Sequence, residues 1–301
     1  MKKTTLCALA AIVIPVSMAA GQADRNGSPV LKGPYLGQKP PGLTPEMFAP
    51  GVISRQDHFE HSAALFSPDG TEVYWSAKPN DQRYYRIFVM TMDNGIWSEP
   101  RVAEFCLEDR SYESVTLSAD GRKLYYVGEG EQKYVEKENG AWSKPRPIPS
   151  PIDSEAEEKI WSIVNDGSVY FIRFPGHDVF VSRPVDGNYA APEKLGPEIN
   201  SSDARESSVY VSPDESTMII EATKDAATAE LFVSFRKDDG SWSERVKLPI
   251  AWGRFPSVSP DGKYLFFMTR EGIYWVSAKI VESVRNAPGP AHTRAGRSTV
   301  G

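Results

Sequence analysis

Along this chain, short runs of β-branched and aromatic residues recur at nearly even spacing, each bounded by residues that favour turns. Five runs, at residues 72–76, 123–127, 168–172, 217–220 and 264–268, each follow a four-residue turn signal. The signals are Ser67-Pro68-Asp69-Gly70, Ser118-Ala119-Asp120-Gly121, Val164-Asn165-Asp166-Gly167, Ser212-Pro213-Asp214-Glu215 and Ser259-Pro260-Asp261-Gly262, spaced by 51, 46, 48 and 47 residues. Pro presets φ at the second turn position, Asp bonds its own backbone, and Gly tolerates φ > 0, so each signal joins two strands. A third run follows at 86–90, 133–135, 178–182, 230–234 and 272–277. In four units that run leads into Asn94-Gly95, Asn139-Gly140, Asp186-Gly187 or Asp239-Gly240, with Trp97, Trp142, Tyr189 or Trp242 two residues after the Gly. Asn-Gly and Asp-Gly are strong hairpin signals. Each unit is therefore three hairpin-linked strands and a fourth that passes through the segment after the aromatic residue. Four antiparallel strands at this period predict a propeller blade.

The ends of the pattern complete each other. The fifth unit stops after its third run, whereas the chain begins with an unpaired segment, residues 46–54, that resembles residues 193–201 at the close of the third unit. Pairing the two fragments closes a ring and hides sheet edges. The prediction is an all-β chain with one five-bladed β-propeller at residues 43–284, a monomer; six blades is the alternative if one unit is degenerate. Residues 21–42, with four prolines, are expected to form an extended lead-in, and residues 285–301, small, polar and basic, a disordered tail.

Ser259-Pro260-Asp261-Gly262-Lys263-Tyr264-Leu265-Phe266-Phe267 and its counterparts resemble the WD40-like β-propeller repeat of the TolB-type family. The likeness covers nearly all of the chain after its first segment. It departs from that family in the longer unit, in showing five units rather than six, and in lacking a separate N-terminal α/β domain. The resemblance implies a propeller used for binding, mostly of envelope protein or carbohydrate, and brings no catalytic residues with it.

Composition narrows the partners. A formal charge of −6 offers no electrostatic footprint for nucleic acid or an anionic membrane. Lys2 and Lys3, an apolar run at 6–16 and small residues to Ala20 have the layout of a secretory signal peptide at residues 1–20, which predicts a periplasmic or secreted protein with no integral membrane segment after cleavage. The run is too short to span a bilayer. Loss of Cys7 would leave Cys106 alone, without an internal disulfide and best read as a buried small hydrophobe.

Candidate chemistry concentrates where the innermost strands begin. His61, Glu113, Glu158, Glu206 and Arg254 stand five or six residues before their turns, and strand alternation could aim all five at one mouth of the central channel, with Arg110, Arg173 and Arg205 nearby. The set suits either a ligand-binding rim or ion pairs that fix the blades. Two of the carboxylates could instead serve a glycoside hydrolase or lyase as acid and base. Asp57-His58-Phe59-Glu60-His61 invites a metal reading, but His58 and His61 would point to opposite faces of a strand, so neither metal nor cofactor is expected. The Asp-Gly-x-Trp turns do not match sialidase Asp-boxes, because their Trp follows the Gly by two residues rather than three. The recurrent Trp97, Trp142, Tyr189 and Trp242 are expected to pack between blades. Trp75, Trp161 and Trp252 break the repeat and are the aromatic ligand candidates.

Overall fold

The computed structural model describes residues 30–149, 151–152, 157–225 and 227–285. The expected signal peptide lies outside the described residues, as do residues 286–301 of the tail and most of the early lead-in. Among the described residues, no helix is long and apolar enough to cross a membrane.

Five four-stranded antiparallel sheets form the blades of one propeller. From the channel outward, blade 2 is Glu113–Leu117, Lys123–Gly128, Glu131–Glu138 and Arg146–Pro147. Blade 3 is Glu157–Ile163, Val169–Phe174, Asp178–Ser182 and Glu193–Lys194. Blade 4 is Arg205–Val211, Thr217–Thr223, Glu230–Phe235 and Val246–Lys247. In blade 1 the inner strand is split into His58–Glu60 and Leu65–Phe66, followed by Glu72–Pro79, Arg86–Asp93 and Arg101–Val102. Blade 5 takes Arg254–Val258, Tyr264–Thr269 and Gly272–Ser277 from the C-terminal part of the chain. Its outer strand, Glu46–Met47, comes from the N-terminal part, with Glu46 opposite Trp275 and Met47 opposite Tyr274.

The turns form because their side chains complete them. Ser67, Ser118, Ser212 and Ser259 each donate Oγ–H to the Asp two residues on, at 2.6–2.7 Å. Each Oγ also accepts the N–H that opens the next strand, at 2.9–3.0 Å. The Asp then accepts a backbone N–H from two residues further on: Thr71 N donates to Asp69 at 3.0 Å and Lys263 N to Asp261 at 3.1 Å. These bonds hold the Asp69, Asp214 and Asp261 carboxyls below their ordinary range, Asp261 at about 2.

Second strands read as unbroken apolar runs because neighbouring blades cover both of their faces. Val73, Tyr74, Trp75, Ser76 and Ala77 are all buried. The core therefore lies between blades. One cluster joins blades 5 and 1 through Phe266, Trp275, Phe66 and Trp75; another joins blades 3 and 4 through Tyr170, Ile172, Val209 and Ile220. The recurrent aromatics sit in these joints. Trp142 of blade 2 meets Tyr74 of blade 1 edge-on at 5.9 Å, and Trp242 of blade 4 joins the blade 3 cluster. Hydroxyls stitch the same joints. Ser76 Oγ donates to Tyr112 O at 2.6 Å, Thr116 Oγ1 to Trp161 O at 2.9 Å and Ser257 Oγ to Ala64 O at 2.8 Å.

The lead-in seals the joint where the ring closes. It was expected to be extended, yet Pro34–Gly37 makes a tight turn in which Tyr35 and Leu36 take left-handed backbone, with φ 52° and 59°. That geometry costs about 1–2 kcal/mol per residue. It places the Tyr35 ring against Phe66 and Tyr264 at 5.2 and 5.0 Å, its hydroxyl on Asp261 at 2.8 Å, and buries Leu36. Gly37 is required here, because a Cβ would lie 2.5 Å from Lys32 O.

Candidate functional site

The channel has two different ends. At the mouth, where the inner strands begin, four of the five blades place charged or imidazole side chains near one another. His61 of blade 1 has Nε2 3.9 Å from Glu113 Oε2 of blade 2. Burial holds the His61 pKa below its ordinary value; Glu113 opposes that effect, while Arg254 of blade 5 and Lys159 of blade 3 reinforce it. The His61 ring lies between Tyr85 and Phe255, each at 5.1 Å, and Glu113 accepts a hydrogen bond from Ser111 Oγ at 2.9 Å.

The five residues predicted from the repeat thus divide. His61, Glu113 and Arg254 share the mouth. Glu158 instead accepts from Arg173 Nε at 2.8 Å, and its side chain is buried. Glu206, 2% exposed, reaches outward to Arg245 at 2.6 Å, beside the outer strand of blade 4. Arg254 is itself tied through Nε to Glu221 at 2.7 Å, a carboxylate that is fully buried and also accepts from Ser208 Oγ and Phe255 N. Arg110 pairs with Glu129 at 2.6 Å, and Arg205 is exposed.

Each of the inner strands of blades 2 to 5 carries a bulge, between Glu113 and Thr116, Ile160 and Ser162, Glu206 and Ser208, and Arg254 and Ser257. A bulge re-aims side chains locally. At Phe255 it comes with left-handed backbone, φ 51°. In blade 3 the charge of Lys159 reaches His61. Lys159, Tyr85, Phe255 and Glu60 escaped the repeat-based reading, since nothing in the turn spacing marks them. Glu60, next to His61, has its carboxyl pushed up to about 7 by burial, and both Glu60 and Glu113 raise the pKa of Tyr85 alongside a larger contribution from burial.

Rings of non-adjacent blades meet across the channel. Trp161 of blade 3 stacks on Phe255 of blade 5 at 5.4 Å and 25°, and Phe255 continues to His61. Beyond this row, at the end carrying the Asp turns, opens a cavity of about 870 Å³. Its walls are the last residues of all five inner strands, among them Leu65, Thr116, Ser162, Tyr210 and Ser257, with Trp161 at its inner end. Lys279–Glu282, a short helix anchored by buried Ile280 and Val281, stands on its rim.

The remaining candidates have structural explanations. Trp75 is buried and stacked on Phe88 at 5.5 Å, and Trp252 lies beneath the Arg270 guanidinium at 5.3 Å. Asp57 is held by Arg55 and His58, and no group of three or more potential metal ligands gathers among the described residues. Burial pushes the Cys106 thiol up to about 12, which removes its thiolate at neutral pH.

No protein-family model and no curated protein matches the chain. Among solved structures, it is similar to TolB from Acinetobacter baumannii, at 14% identity and TM-score 0.48, over 75% of this chain and 53% of that one. A prolyl endopeptidase is similar at 17% identity and TM-score 0.43, over 76% and 42%, and the periplasmic gluconolactonase of Pseudomonas aeruginosa at 15% and 0.39, over 69% and 64%. The chain spans less than two thirds of the length of each. Its five-bladed architecture rests on its own strand pairings.

Proposed function

We propose that this chain is an exported, non-enzymatic binding module that meets a partner at the channel mouth through His61, Glu113, Lys159 and Arg254. One observation carries the reading: three buried carboxylates, Glu158, Glu206 and Glu221, are each neutralised by an arginine of the same propeller. Acid–base hydrolysis needs two carboxyl groups free to exchange protons with a substrate, and these three are committed to ion pairs, Glu221 across the joint of blades 4 and 5 and the other two within their own blades. What remains at the mouth is a rim of mixed charge backed by rings, which suits recognition by complementary charges on a protein surface.

A second reading has its own support. Glu60 and Glu113 both lie close to Tyr85, and Glu60 at about 7 would be protonated enough near neutrality to act as an acid. Hydrolysis assays on chromogenic glycosides separate the two. We expect no turnover by the wild type. Turnover that Glu113→Gln and Glu60→Gln each abolish would overturn the binding reading. For the binding reading, the purified protein should retain a partner from envelope extract, and Glu113→Lys with Arg254→Glu should release it. Retention unchanged by that charge reversal would place recognition elsewhere on the molecule.

A further inference from the structure

We propose that the turn-end cavity is a second, separate binding site, and that it takes a small uncharged polyhydroxylated ligand, a neutral saccharide. The site is independent of the mouth. Its lining shares no residue with His61, Glu113, Lys159 or Arg254, and the Trp161–Phe255 stack links its wall to the His61 ring.

Size points to a small molecule. About 870 Å³ falls within the range of pockets that enclose small ligands, and is far more than the gap left by imperfect packing. The lining points to the chemistry. Trp161 occupies the position three residues before the turn, where the other blades carry Ala64, Val115, Val209 and Pro256. The repeat itself does not call for a large ring there. Two residues before the turn, Tyr210 replaces Leu65, Thr116, Ser162 and Ser257. Tyr210 and Asn165 both line the cavity, and neither side chain has a hydrogen-bond partner among the described residues. Thr116 and Ser257 spend their protons on backbone carbonyls but keep lone pairs that can accept. The cavity thus offers donors, acceptors and aromatic faces together.

Charge favours a neutral ligand. Lys263 pairs with Asp261 at 3.0 Å, and Glu282 pairs with Arg285 at 2.7 Å. The two lining charges without an ion-pair partner among the described residues, Asp214 in its turn and Lys279 on the rim, belong to the turn side of the cavity. The strand residues of the wall, Leu65, Thr116, Ser162, Tyr210 and Ser257, are uncharged, and a neutral sugar presents hydroxyls to their polar atoms and C–H faces to the rings.

Isothermal titration of the purified chain with neutral mono- and disaccharides, and with glucuronate and glucosamine as charged controls, tests this at up to about 10 mM, where a Kd of about 1 mM is readily seen. A neutral sugar should bind and the charged controls should not. Tyr210→Phe should weaken binding about fivefold through one lost hydrogen bond, and Trp161→Phe should also weaken it. Trp161→Ala should lose about tenfold or more, and if that variant unfolds by circular dichroism the other two decide. Glu113→Gln at the mouth should leave sugar affinity unchanged. Absence of binding by any neutral sugar, binding of the charged sugars alone, or affinity indifferent to Tyr210 and Trp161 would each overturn the proposal. Envelope-partner retention is unaffected by any of these outcomes, so failure here is distinguishable from failure at the mouth.

Discussion

At the turn end of the channel, blade after blade uses the same few atoms in the same way; at the mouth, no two blades agree. Four turns share one Ser-to-Asp bond at 2.6–2.7 Å, and each is complete within its own turn. Near the mouth, blade 3 uses Glu158 with Arg173, blade 4 uses Glu206 with Arg245, and Glu221 of blade 4 holds Arg254 of blade 5. The contrast shows a division of labour. Self-satisfied turns keep the architecture constant, which leaves the strand starts free to vary while long-range ion pairs take up their charges.

The comparison breaks most sharply at Glu206. Arg245→Ala leaves that carboxylate buried without its cation, and the expected loss is about 3–5 kcal/mol in urea unfolding at pH 7. Replacing both by Gln and Met should recover most of it. A loss below about 1 kcal/mol would show that this pair does not stabilise blade 4.

Next in size is Asp261. Asp261→Ala removes the acceptor for Ser259 Oγ, Lys263 N and the Tyr35 hydroxyl, which should cost about 2 kcal/mol. Because the native carboxyl sits at about 2, below its unfolded value, its contribution is complete above about pH 4 and disappears as pH falls toward 2. The difference between variant and wild type should close over that window. Asp166→Ala, in the one turn where Val164 replaces Ser, should cost less, about 1 kcal/mol.

Glu60 runs in the opposite direction. Its native value of about 7 lies above the unfolded one, so the folded state holds the extra proton and stability should decline as pH rises from about 4.5 to 7. Glu60→Gln should flatten that decline and raise stability at pH 8 by about 1 kcal/mol, allowing for partial exposure. A slope of melting temperature against pH unchanged in the variant would remove Glu60 as its source. The smallest effect is expected at Glu113. It is 35% exposed and 3.9 Å from His61, so Glu113→Gln should change stability by no more than about 0.5 kcal/mol. Its effect belongs to binding.

The propeller was legible from the chain because its signals are local. Ser259, Asp261 and Gly262 sit within four residues, and the hairpin pair Asp239-Gly240 stands just before Trp242; such short-range chemistry needs no knowledge of the rest of the fold. Even the ring closure could be read, since residues 46–54 carry the pattern of a missing outer strand. The site was legible only in part. His61, Glu113 and Arg254 were placed at the mouth by counting back from the turns, but the same count put Glu158 and Glu206 there too. What neutralises a strand residue depends on partners such as Arg245, 39 positions away. Strand period, turn type and blade number were decided by neighbouring residues alone. Which side chains meet at the mouth, and that Trp161 stacks on Phe255 beside a cavity at the turn end, were decided by distant blades brought together, because contact across the channel carries no signature in any single segment.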